Sequence, residues 1–192
     1  MAEREYKNLS FRYYVNFALI LIAVQGMTWL IRAVAFSGIF SEAQAMGELS
    51  LGRTILIIYS IVCVIGFSAW RAVSMSRDGA ARRAYLDMSA DHLPNVKELL
   101  QIDLKKDLVE LAVYAGLQIP FLIFYSAFGY RYVGGIFFEG LYTMHAGIYE
   151  ITRIGIIGIL MDCALYFVTV KLFRLPVYRT WERERITHVH RS

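Results

Sequence analysis

The chain has 192 residues, 57% hydrophobic and 19% charged, with a formal net charge of +4 at pH 7. A soluble domain is roughly 45–50% apolar, and here the excess is gathered into long uncharged runs, so an ordinary soluble fold is excluded. Nucleic acid is excluded as the partner of the basic residues, because these border the apolar runs, where anionic lipid headgroups attract them.

A hydrocarbon core about 30 Å thick needs roughly 17–25 apolar residues in helix. Four stretches meet that length: 14–36, 54–72, 108–130 and 153–173. Backbone groups in hydrocarbon must be satisfied within their own segment, so each stretch is expected to be a helix. The predicted fold is an all-α integral membrane protein, a four-transmembrane-helix bundle occupying 1–192 as one membrane domain. The first stretch is read as a span and not as a signal peptide. Ala33-Val34-Ala35 resembles a cleavage site, but the preceding run exceeds a signal core of roughly 7–15 residues, and Arg32 stands just before the site.

Lysine and arginine set the orientation. Sixteen fall in the N-terminal segment, the 74–106 loop, the C-terminal tail and the span ends that adjoin them (Arg71, Lys171), against four (Arg32, Arg53, Arg131, Arg153) on the other side. Both termini and the 74–106 loop are therefore expected in the cytoplasm, with outer loops at 37–53 and 131–152. The plasma membrane is the expected location. The sequon Asn8-Leu9-Ser10 then carries no glycan. Tyr13, Tyr14, Trp29, Trp70, Tyr130, Tyr132 and Trp181 fall near span ends, the depth that amphipathic rings prefer.

Between the spans, 79–88 and 95–102 are expected to form short amphipathic helices on the cytoplasmic surface. Asp103, Asp107 and Glu110 recur on one helical face where the third span begins, and Lys106 to Glu110 has the i,i+4 spacing of a local ion pair. In the outer loop, Gly134-Gly135 marks a bend and 136–149 is expected to lie along the outer interface. Its His145 does not share a helix face with Glu139 and Glu150, and a metal needs three or four converging ligands, so no metal or other cofactor is expected. The tail after Pro176 alternates Arg and Glu around Trp181 and is expected to form a short helix on the inner surface. Cys63 and Cys163 lie in apolar runs and read as packing residues.

The most specific chemical signal is Asp162. An acid at mid-span costs about 2.5–3.5 kcal/mol on insertion scales, and such residues face the bundle interior or a wet cavity. Gly155, Gly158, Asp162, Tyr166 and Thr169 follow spacings of three and four. They are expected to face other helices, with Gly155 and Gly158 allowing close approach. Ile156, Leu160, Ala164 and Phe167 point largely away. Gln25 and Gln118 lie at similar depth and complete a polar cluster of Asp162, Gln25, Gln118 and Tyr166. Pro120 has no N–H, so the Gly116 carbonyl loses its helix partner, and a neutral Asp162 is expected to donate to that carbonyl or to a glutamine oxygen. Arg53, Cys63 and Arg71 match Arg153, Cys163 and Lys171 at a constant offset, which suggests two tandem hairpins.

Three functions fit. The first is a non-enzymatic accessory, assembly or regulatory partner of another membrane protein, associating through the Gly155/Gly158 face or the cytoplasmic loop. The second is an oligomeric transporter or channel component with Asp162 as an intramembrane proton or cation site. The third, an enzyme, lacks a nucleophile or metal with a matching base in the spans, and no catalytic residue is assigned. The expected partners are the lipid bilayer and a second copy or another membrane protein.

Overall fold

Long uncharged runs of Leu, Ile, Val and Ala satisfy their own backbone as helices, and the computed structural model shows where each begins and ends. The structure describes residues 11–35, 49–76, 104–120, 122–123, 144–149, 151–152 and 155–189. Helix is the only regular secondary structure among them. The four longest helices are α1 (Phe11–Ala35), α2 (Leu49–Ser76), α3 (Leu104–Gly116) and α4 (Gly155–Val189). Three contain stretches long and apolar enough to cross a membrane: Tyr13–Val34, Thr54–Ser74 and Gly155–Glu184.

The expected third span, 108–130, is described only in its first part. There α3 ends at Gly116 and a turn follows at residues 117–118. The cause is local. Pro120 offers no N–H to the Gly116 carbonyl, and the Gln118 N–H bonds the Ala115 carbonyl three residues back, at 2.9 Å. The chain resumes helical bonding with Leu122 N–H to the Gln118 carbonyl at 3.0 Å.

The C-terminal tail corrects the sequence reading. It is no separate surface helix, because α4 runs unbroken through Pro176 to Val189. Proline removes one ladder bond and leaves the Leu172 carbonyl without its usual helix N–H. Thr180 Oγ1 donates to the Pro176 carbonyl at 2.9 Å. Trp181 is buried and meets the Tyr178 ring edge-on at 5.8 Å.

α4 packs along α2, and α3 touches both α1 and α4. Phe17, Leu21, Val64, Phe67, Tyr114, Tyr166 and Val170 form the apolar core. Large apolar side chains such as Leu19, Ile58, Val62, Ile156 and Leu160 point outward and are exposed. All five residues of the Gly155–Thr169 stripe are buried, whereas Ala164 is exposed and Phe167 half-buried.

Residues 144–149 differ most from expectation. They do not lie along an interface: they form a short helix, and all six are buried. Glycine makes this possible. A Cβ on Gly147 would come within 2.4 Å of the Leu56 carbonyl oxygen and 2.6 Å of Ile57 Cα, both backbone atoms of α2. The Gly147 N–H donates to Ser60 Oγ at 2.9 Å. On the other side, Gly158 of α4 makes room for the Tyr149 ring, which its Cβ would meet at 2.6 Å. The small face of α4 is thus covered within the chain.

The sequon, the two surface helices of the 74–106 loop, the Gly134-Gly135 bend, Glu139, Glu150 and Tyr130 lie outside the described residues.

Candidate functional site

Buried polar groups occur in layers along the bundle. In the layer nearest the start of α3, Asp107 binds two bases of α4: Arg174 Nη1 lies 2.6 Å from its Oδ1, and Lys171 Nζ pairs with Oδ2. One helical turn along α3, Glu110 Oε1 accepts from Tyr13 OH of α1 at 2.5 Å and from Arg71 Nη2 of α2 at 2.8 Å. Arg71 also donates to Tyr13 and lies 4.9 Å from the Phe17 ring centroid. Tyr166 OH approaches Glu110 Oε2 at 3.5 Å. The acids of α3 therefore bind bases of other helices, where spacing alone suggested a local Lys106–Glu110 pair. Lys106 instead sits over the Tyr13 ring at 5.2 Å.

An aromatic layer follows. Tyr114 and Tyr166 stack at 4.4 Å with rings 14° apart, and Phe67 stacks on Tyr166 at 6.0 Å. The two phenols point opposite ways: Tyr166 OH to Glu110, and Tyr114 OH to Asp162 Oδ1 at 3.2 Å.

Beyond it lies the Asp162 cluster. Asp162 and His145 are both 0% exposed, and His145 Nδ1 is 2.5 Å from Asp162 Oδ2. Gln118 Nε2 donates to the same oxygen at 2.8 Å. Gln118 is held in that orientation by Tyr149 OH, which donates to its Oε1 at 2.8 Å. Asp162 therefore accepts from a glutamine nitrogen, where a neutral acid donating to a glutamine oxygen was expected. On the far side of the ring, Gln25 Nε2 is 2.9 Å from His145 Nε2. In the same turn, Thr28 Oγ1 donates to the Gln25 backbone carbonyl at 2.8 Å. Tyr59 OH of α2 donates to the Thr28 carbonyl at 2.6 Å.

A histidine nitrogen facing an amide N–H₂ must accept, and one facing a carboxylate must donate. With the Gln25 amide in this orientation, His145 Nε2 is the acceptor and Nδ1–H faces Asp162 Oδ2. Asp162 therefore faces three donor groups: His145 Nδ1–H, Gln118 N–H and Tyr114 O–H. Along α4, Asp162 is about 18 Å from Arg174 at roughly 1.5 Å per residue.

Of the residues singled out from sequence, Asp162 and Gln118 are in direct contact, and Gln25 joins them through His145. Tyr166 lies in the adjoining layer. His145 and Tyr149 were missed because they stand in a segment assigned to an outer loop. One signal pointed to His145: it is the only one of four histidines on that side of the predicted topology, and a mid-span acid needs a partner. Among the described residues no three His, Cys, Asp or Glu side chains converge as a metal site would need. Cys63 is half-buried and Cys163 buried, and neither forms a disulfide.

No family model, no curated protein and no solved structure matches the chain.

Proposed function

We propose that this chain is an integral membrane protein of four spans, with both termini and the 74–106 loop in the cytoplasm and the plasma membrane as its location. Within that frame it is a proton-handling component of a transporter or channel, working as an oligomer. Three membrane-length helices and the one-sided distribution of Lys and Arg support the embedding.

One observation carries the proton reading: among the described residues the Asp162 carboxylate meets only hydrogen-bond donors. A metal ion requires oxygen or nitrogen lone pairs directed at it, and here they are turned away. A proton needs no such cage. Its proposed way in is His145 Nε2, on the Gln25 side of the ring and one imidazole away from the buried Asp162 carboxyl. Acid and histidine chains inside membrane bundles mark proton paths. Glu110, Tyr13 and Tyr166 form the next titratable layer inward.

A second reading is an accessory partner of another membrane protein, with the same network as interhelical glue. Its support is that every side chain of the Asp162 cluster has an internal partner. Flux separates the two. Purified protein in proteoliposomes with a pH-sensitive dye inside is expected to pass protons down a potential, and Asp162→Asn to abolish this while remaining monodisperse in detergent. Wild-type vesicles as tight as empty ones, or undiminished flux in Asp162→Asn, would leave the accessory reading in possession.

A further inference from the structure

The basic residues at the C-terminal end of the bundle divide into two groups. Arg71, Lys171 and Arg174 are engaged by Glu110 and Asp107. Arg179 and Arg183 are exposed, and among the described residues neither guanidinium has an ion-pair or hydrogen-bond partner. Both border a groove of about 490 Å³ on α4, together with Leu172, Leu175, Pro176 and Thr180. That volume falls in the range of roughly 300–1,000 Å³ usual for small-molecule sites.

We propose that this groove seats one anionic phospholipid, its phosphodiester between Arg179 and Arg183 and its upper acyl chain along Leu172, Leu175 and Pro176. The six residues recur at spacings of three and four, so they form one continuous face of α4. From Leu172 to Arg183 the face is about 16 Å long at roughly 1.5 Å per residue, enough for a headgroup, its glycerol and the first acyl carbons. Its polarity changes along the helix in the order a lipid requires. Leu172 is exposed in the apolar part, and the arginines follow after Pro176. The membrane-length stretch ends at Glu184, so the change falls over its last turns, where the apolar core gives way to headgroups.

Charge favours a phosphate over a zwitterionic headgroup's ammonium. The two guanidinium groups are one turn apart, and Glu182 and Glu184 do not border the groove. Arginine offers forked donors that match phosphate oxygens. The Thr180 hydroxyl is already given to the Pro176 carbonyl, which leaves the arginines as the headgroup's donors.

The inference rests on the membrane embedding proposed above and not on proton handling. The full-length protein is reconstituted in nanodiscs of phosphatidylcholine, with or without roughly one-third phosphatidylglycerol, and the lipid retained after extraction is counted by native mass spectrometry. One phosphatidylglycerol is expected to remain bound. In the double variant Arg179→Gln/Arg183→Gln its retention is expected to fall roughly 10–30-fold, at about a factor of five per arginine near a headgroup. A charge-matched control, Arg185→Gln/Arg191→Gln, is expected to retain it. Equal loss in the control would show diffuse attraction and overturn the seat. So would retention of phosphatidylcholine equal to that of phosphatidylglycerol, or displacement of the lipid by millimolar inorganic phosphate alone. Failure to enter nanodiscs at all would defeat the embedding, and the seat with it.

Discussion

Asp162 announces itself in the sequence because ionisable groups inside a long apolar run are costly and need a partner. What that partner is depends on a contact across 17 residues of sequence, and His145 supplies it at 2.5 Å. Replacing His145 by Gln keeps a donor near Asp162 but removes the imidazole Nε2 proposed above as the proton's entry. The variant is expected to fold in detergent like wild type and to lose proton flux; unchanged flux would show that the imidazole carries no proton. Glu110 and Arg71 make a different case. Both are buried, and removing one member of a buried ion pair leaves the other uncompensated, at about 3–5 kcal/mol. Glu110→Gln is therefore expected to lower the midpoint of unfolding in mixed detergent sharply. The double variant Arg71→Met/Glu110→Gln should lose less than the two single losses added together. Strict additivity would mean that the two groups do not hold each other.

At the level of elements, the 144–149 helix depends on the absence of a side chain at Gly147. Gly147→Ala would place a methyl against the backbone of α2, and overpacking of this kind costs about 1–3 kcal/mol. The His145–Asp162 contact should suffer with it, so the variant is expected to lose both stability and flux. Gly66 supplies the control: it lies mid-helix in α2, and a methyl there would meet nothing within 4 Å. Gly66→Ala is expected to be neutral or to gain up to about 1 kcal/mol, since glycine is the weaker helix former. Thermal unfolding of both variants in the same detergent checks the contrast. The elements themselves were readable to differing degrees. Apolar length marked α1, α2 and the first part of α4. The continuity of α4 beyond Pro176 was not marked, because a proline is as compatible with a tolerated interruption as with a stop, and packing of Tyr178 and Trp181 decided the matter. Pro120 shows the opposite outcome, a break in the ladder just after α3.

For the whole molecule, orientation is tested by labelling. In a background lacking Cys63 and Cys163, single cysteines at Ser10, Ser89 and Ser192 are expected to react only after the membrane is opened. A cysteine at Gln44 should react with an impermeant maleimide from outside. External labelling at position 89 would reverse the proposed topology. The sequence by itself determined that the chain is helical, that at least three of its segments have membrane length, and which face of α4 turns inward. These are properties of local composition and period, since hydrocarbon enforces helix and a polar stripe at 3.6-residue spacing seeks the interior. Only the tertiary structure decided which groups meet there. His145, Tyr114 and Gln118 reach Asp162 from two separate segments, Gln25 joins through His145 from a third, and Glu110 and Asp107 find bases on other helices. Such pairings depend on how segments distant in sequence pack against one another, and no local period encodes that.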